Sequence, residues 1–280
     1  FGGELRPDTA SVVTDLEYTW EDSEWMKKRS SMDVQNIPLN IYEVHLGSWK
    51  RHPVEDGFYS YEELADTLVP YVKEMGYTHI EILPVMEHPL DMSWGYQSTG
   101  FYAPTARYGK ATGFMKLIDR CHQEGIGVIA DWPAGHFCPD EQGLANFNGH
   151  PLFESIKHPQ WGTYKFDFGR TQVRSFLLSN AVYWMQMYHI DGIRVDGVSS
   201  MLYLNFGMDE NDPACRRNKD GGEVDLDAVD FLQEFNRVIG TEFPGTFTAA
   251  EESSTFPGIT KPPQLGGLGF HYKWNMGWMN

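Results

Sequence analysis

The stretch Asp191-Gly192-Ile193-Arg194-Val195-Asp196-Gly197 reads as a short apolar strand carrying two charges of opposite sign, Arg194 and Asp196. Alternation along a strand puts residues two apart on the same face. A lone carboxylate on a buried strand is costly, whereas one beside a fixed guanidinium stays ionised. Taken alone, the segment fits an internal salt bridge as well as it fits a nucleophile for sugar chemistry. The second reading needs a held, ionised carboxylate at a strand end.

Outward from this strand the pattern repeats. Upstream, 173–189 has helical periodicity, with Val173, Phe176, Leu177, Ala181 and Trp184 on one side. Downstream, 226–239 predicts another helix and Thr246-Phe247-Thr248-Ala249-Ala250-Glu251 another strand. Towards the N-terminus, strands are expected at 41–46, 79–84 and 127–132. Helices are expected at 61–75, with Leu64, Leu68, Tyr71 and Val72 on one stripe, and at 114–124. Gly76 and Gly125 supply their C-terminal stops. A sixth strand is expected at 270–274. Alternating strands and helices at this spacing imply a parallel sheet, and apolar strands imply that both faces are covered.

Two closures of such a sheet are open, a doubly wound sheet or a (β/α)8 barrel. No G-x-G-x-x-G follows the first strand, which weakens the dinucleotide-binding form. Long loops, 87–112 and 133–169, follow strand C-termini and favour the barrel, where such loops build the site. About six strands do not make the eight of a full barrel, so the expectation is an incomplete one over 39–280. Residues 1–38 are polar, without a long periodic segment, and read as the tail of a preceding module plus a linker. The chain begins with Phe1 and reads as a piece of something longer.

Composition narrows the partners. Lys and Arg number 22 against 39 Asp and Glu, a net charge of −17 over 280 residues. Such a surface repels nucleic acid and anionic lipid, and leaves neutral substrates unaffected. No apolar run approaches the roughly 18 residues of a membrane span, and no signal-like segment opens the chain. Cys121, Cys138 and Cys215 are scattered without metal-type spacing and read as free thiols of a cytoplasmic protein.

Polar residues collect at the strand C-termini: His45, Glu87 with His88, Asp131 with His136, Arg194 with Asp196, and Glu251 with Glu252. Each alone has an ordinary explanation: a satisfied core histidine for His45, a turn cap for Asp131, a solvated side chain for Glu251. Their coincidence on one rim is what barrel active sites require. A retaining glycosidase-type reaction needs two carboxyl groups about 5 Å apart, close to the spacing of neighbouring strands. Asp196 is then the nucleophile. Glu251, raised by burial at the end of an apolar strand, is the acid.

Several motifs resemble those of the 1,4-α-glucan branching enzymes of the α-amylase superfamily. They are Tyr42-Glu43-Val44-His45-Leu46-Gly47-Ser48-Trp49, Leu83-Pro84-Val85-Met86-Glu87-His88-Pro89, Ser93-Trp94-Gly95-Tyr96-Gln97 and Tyr102-Ala103-Pro104-Thr105. They continue with Tyr188-His189-Ile190-Asp191-Gly192-Ile193-Arg194-Val195-Asp196, Ala250-Glu251-Glu252-Ser253, Leu265-Gly266-Gly267-Leu268-Gly269-Phe270 and Lys273-Trp274-Asn275-Met276-Gly277-Trp278. The resemblance implies Asp196 as nucleophile, Arg194 as its positive partner, Glu251 as proton donor and Tyr96 as a platform under the sugar. It also implies Asp131 and His136 as substrate contacts, with Glu252 the weaker alternative to Glu251. The implied reaction cuts an α-1,4-glucan and transfers the chain to a 6-hydroxyl, with no metal or organic cofactor. The rivals are an α-glucan hydrolase and, for this chain alone, an inactive glucan-binding fragment.

By the same resemblance, residues 1–30, with Phe1-Gly2, Arg6-Pro7 and Trp20-Glu21-Asp22, are similar to the end of a carbohydrate-binding β-sandwich. A third catalytic Asp and a second substrate-binding His are expected on a Ser-His-Asp-type segment beyond Asn280. Three departures stand out. Pro133 is shifted by one position, which is expected to displace the loop carrying His136. Gly197 and Ser199 replace alanines, and Gly197 is expected to loosen the turn beside Asp196.

Overall fold

The computed structural model describes residues 2–53, 57–275 and 277. Phe1, Met276 and Trp278 of the motifs above, and Asn280, lie outside the described residues. The chain forms two compact units: residues 1–131, 180–193 and 243–246, and residues 132–179, 194–242 and 247–280.

Strands and helices alternate as expected: β1 (Ile41–Val44), α1 (Tyr61–Glu74), β2 (His79–Ile82), α2 (Ala111–Gln123), β3 (Gly127–Trp132), α3 (Thr171–Met187), β4 (Gly192–Val195), α4 (Leu226–Glu242), β5 (Phe247–Glu251) and β6 (Tyr272–Trp274). In the first unit the hydrogen-bonded order is β1-β2-β3-β4. There β1 and β2 pair in parallel from Ile41 opposite His79, and β2 and β3 from His79 opposite Gly127. The Asp191 N–H donates to the Val128 carbonyl at 2.8 Å, ahead of β4. In the second unit β5 and β6 pair in parallel, with Glu251 opposite Trp274.

Local chemistry sets the helix limits. Ser60 caps α1: its hydroxyl accepts from the Glu63 N–H at 3.2 Å while the Glu63 carboxylate accepts from the Ser60 N–H at 2.8 Å. Gly76 follows the helix at φ +78°, a left-handed conformation that halts it. Tyr61, Leu64, Ala65, Leu68, Val69 and Val72 of α1 are buried. Tyr71, expected on the same stripe, sits at its exposed border with its ring against Tyr42 and Trp49. The stripe therefore turns towards Val69.

In the second unit, α4 buries Phe231, Leu232, Phe235 and Ile239, and the Phe235 ring stacks on Trp132 at 5.0 Å. The loop after β3 is not featureless. It holds a three-stranded antiparallel sheet, with Tyr164–Phe166 between His136–Phe137 and Glu154–Lys157.

Candidate active site

Asp196 follows β4 directly, and its N–H is held by the Trp132 carbonyl at 3.1 Å. The Arg194 guanidinium donates to Asp196 Oδ1 at 2.7 Å, as expected of residues two apart on a strand. His136 Nε2 stands 3.7 Å from Asp196 Oδ2. Burial alone pushes the Asp196 carboxyl up. The neighbouring His136 imidazole and the Arg194 charge outweigh it and hold the group below the usual aspartate value. Asp196 is thus a carboxylate at neutral pH with a fixed orientation.

Glu251 ends β5, and its Oε2 accepts from the Gly197 N–H at 2.8 Å. The residue after the nucleophile candidate thereby positions the second carboxyl group. Glu251 is half-buried, not fully buried as expected, because it stands at the strand terminus. Glu252 has a different environment. It is fully buried, its Oε1 accepts from Ser199 Oγ at 2.7 Å and Ser254 N at 2.8 Å, and Lys273 Nζ lies 3.0 Å from Oε2. Burial pushes its carboxyl up, but these partners together bring it below the ordinary value. Glu252 is engaged in holding structure.

The departures now have physical reasons. Ser199 supplies a hydrogen bond to buried Glu252 that an alanine lacks. Gly197 sits at φ +59°, a left-handed conformation costly for other residues. A Cβ there would also meet Trp161 Cη2 at 3.3 Å. The backbone N–H of Gly197 is the group that holds Glu251. The shifted Pro133 leaves His136 buried and facing Asp196.

In the first unit, Asp131 is buried within β3 and the Tyr96 hydroxyl donates to its Oδ2 at 2.6 Å. Tyr96 is half-buried. His45 Nδ1 lies 2.9 Å from Ser48 Oγ, and burial lowers the affinity of its ring for a proton. Glu87 is structural. Its carboxylate takes Arg107 Nη1 at 2.6 Å, the Ala106 N–H at 2.8 Å and Thr105 Oγ1 at 3.1 Å, pinning the loop after β2.

Two groups escaped the sequence reading. Lys165, buried on the middle strand of the small sheet, donates to the Ser200 carbonyl at 2.7 Å and so holds the short helix after Asp196. Burial brings its ammonium down to about 8. Trp161 stacks on His158 in the same loop. Neither has periodic spacing, and the only signal was the density of polar and aromatic residues between His150 and Phe168.

Comparison with known proteins defines the class first. Residues 64–148 match the family Alpha amylase, catalytic domain. The fold resembles that of a Salmonella typhimurium protein provisionally named an alpha amylase, with TM-score 0.65 and 24% identity over 91% of this chain and 37% of that one. It also resembles the Geobacillus thermoleovorans alpha-amylase complexed with acarbose, with TM-score 0.59 and 19% identity over 86% and 49%. These likenesses bear out the expected fold class of this chain, an incomplete (β/α)8 barrel.

Within that class the likeness is closer. The 1,4-alpha-glucan branching enzyme GlgB of Nitrosomonas eutropha is 53% identical over 99% of this chain and 38% of its own length. That of Desulfitobacterium hafniense is 54% identical over 100% and 44%, and that of Gloeobacter violaceus 53% over 100% and 39%. The chain belongs to the 1,4-α-glucan branching-enzyme family of the α-amylase superfamily. It spans between 38% and 44% of the length of these relatives.

Proposed function

We propose that the protein to which this chain belongs is a 1,4-α-glucan branching enzyme, acting on α-1,4-glucan chains in glycogen synthesis. The observation that carries the chemistry is the Arg194–Asp196 pair at 2.7 Å, with Glu251 tied to the next residue at 2.8 Å. Asp196 attacks the anomeric carbon of a glucose unit and forms an ester to it. The bond to the leaving 4-oxygen breaks, and Glu251 gives that oxygen its proton. Glu251, now a carboxylate, then takes the proton of an acceptor 6-hydroxyl. That oxygen displaces Asp196 at the same carbon and forms the α-1,6 bond with overall retention. Arg194 keeps Asp196 ionised and aimed. Tyr96, Asp131 and His136 are proposed as substrate contacts.

The wider reading is part of the same proposal. Residues 1–38 are the end of a carbohydrate-binding module and its linker, and 39–280 are barrel. The three free cysteines and acidic surface support a cytoplasmic location and disfavour nucleic acid as partner. Among the described residues, no helix is long and apolar enough to cross a membrane.

The test uses the complete gene product and amylose. Branching lowers iodine colour without a matching rise in reducing ends, and Asp196→Asn abolishes the change. A stoichiometric rise in reducing ends supports the hydrolase instead. Branching undiminished in Asp196→Asn overturns the assignment of the nucleophile.

A further inference from the structure

Trp161 lies between two strands of the small antiparallel sheet, Glu154–Lys157 and Tyr164–Phe166. The third strand of that sheet carries His136. Phe137 and Phe166 on the strands of that sheet are buried, yet Trp161 is 37% exposed. The exposure is not looseness. The indole stacks flat on the His158 ring, centroids 3.9 Å apart and planes within 4°.

His158 is itself fixed. Its Nδ1 accepts from the Gln160 N–H at 3.2 Å and the Trp161 N–H at 3.1 Å, so the proton resides on Nε2, which faces Ser200 Oγ at 3.2 Å. Burial, reinforced by the Lys165 and His136 charges, brings the ring down to about 4, so it is neutral under ordinary conditions. One face of Trp161 is therefore covered by a rigid neutral ring, the tilted rings of His136 and Phe206 lie 5.1 and 6.1 Å away, and the side chain keeps 37% of its surface open.

The edge of the indole has a definite address. Trp161 Cη2 and Cζ3 lie 3.3 and 3.7 Å from where a Cβ on Gly197 would be, and Gly197 follows Asp196. The ring centroid is 5.1 Å from that of His136, whose Nε2 is 3.7 Å from Asp196. A glycine at 197 lets the indole close against the backbone beside the carboxylate. An immobile, one-sided aromatic plane at that place suits the C–H face of a pyranose ring, and its prior fixation leaves little entropy to lose on binding.

We propose that Trp161, backed by His158, is a sugar-stacking wall of the Asp196 site that takes a glucose ring of the α-glucan chain. The inference rests on the glucan-transfer reading given above. In the complete protein carrying Asp196→Asn to stop turnover, calorimetric titration with maltoheptaose measures binding directly. Trp161→Leu is expected to weaken it roughly five- to ten-fold and Trp161→Phe less than three-fold. In the parent protein, saturating maltoheptaose is expected to slow oxidation of Trp161 by N-bromosuccinimide, followed by peptide mass spectrometry. This second measurement needs no substitution at Trp161 and decides the matter should Trp161→Leu fail to fold. Unchanged oxidation, or affinity within two-fold of the parent in a folded Trp161→Leu protein, overturns the proposal. Either result leaves the glucan-transfer reading intact, because that reading is tested separately, by whether iodine colour falls without a matching rise in reducing ends.

Discussion

At the scale of single residues, Asp196 shows how two opposed effects are settled by geometry. Burial favours the neutral acid, while Arg194 at 2.7 Å and His136 at 3.7 Å favour the carboxylate, and the pair wins. A depressed aspartate is ionised above its folded-state value and loses that ionisation only as pH falls through it. With Arg194→Met the largest fixed charge is gone and burial is opposed by His136 alone. On the proposed glucan-transfer reading, the acid limb of the complete protein's rate is then expected to move to higher pH. The rate at neutral pH should fall about 10²–10³-fold, the scale of losing one preorganised electrostatic partner. Leaving a buried carboxylate short of its cation should also cost about 3–5 kcal/mol of stability. The profile is therefore measured well below the variant's melting temperature. An acid limb that stays in place shows that Arg194 does not set the charge of Asp196.

At the scale of elements, the sequence is most informative where structure is local. The α1 helix was legible in its periodicity and its stop in Gly76, while the Ser60–Glu63 cap at its start came from the structure. Ser60→Ala removes the acceptor for the Glu63 N–H and one half of the reciprocal pair. A loss of about 1 kcal/mol is expected in urea unfolding, with the catalytic rate unchanged. A loss below the error of the measurement would mean that packing of Leu64, Leu68 and Val72 alone fixes the helix. Six strands and their strand-end polar residues were legible for the same reason: apolar runs and glycine stops are properties of neighbouring residues. The small sheet after β3 was not. Tyr164 pairs with Phe137 and Lys157 in segments too short to show alternation. The stacking of Trp161 on His158 depends on a turn whose signal is three residues long. The burial of Glu252 rather than Glu251 was half legible. Alternation separates the two faces, but only the partners Ser199, Ser254 and Lys273 decide which face is enclosed.

At the scale of the whole chain, the least legible feature is a buried polar network in the first unit, whose members lie up to 167 positions apart. His122 donates through one ring nitrogen to Asp22 and through the other to Asp191, each at 2.8 Å. Arg29 and Trp25 reach Asp191 at 2.9 Å, and His189 reaches Asp22 at 2.7 Å. The segment 20–31 is thereby fastened to α2 and to the start of β4. Burial opposes a charged His122, but Asp191 and Asp22 outweigh it and lift the ring to about 9. Burial likewise pushes Asp22 and Asp191 up, and their partners bring both below the ordinary range. The signs of the two contributions differ. The histidine contribution is complete below its unfolded value of about 6.5 and is lost as pH rises through about 9. The aspartate contributions are complete above roughly 3.9 and are lost as pH falls. His122→Gln keeps hydrogen bonding to one aspartate but not the charge. It is expected to cost about 3 kcal/mol at neutral pH, since each unit of displacement is worth about 1.4 kcal/mol. It should also flatten the alkaline decline, so that parent and variant converge in urea midpoint between neutral pH and pH values above the lifted histidine value. Parallel declines would place the alkaline loss elsewhere, and would show that the network holds the N-terminal segment by shape rather than by the charge on His122.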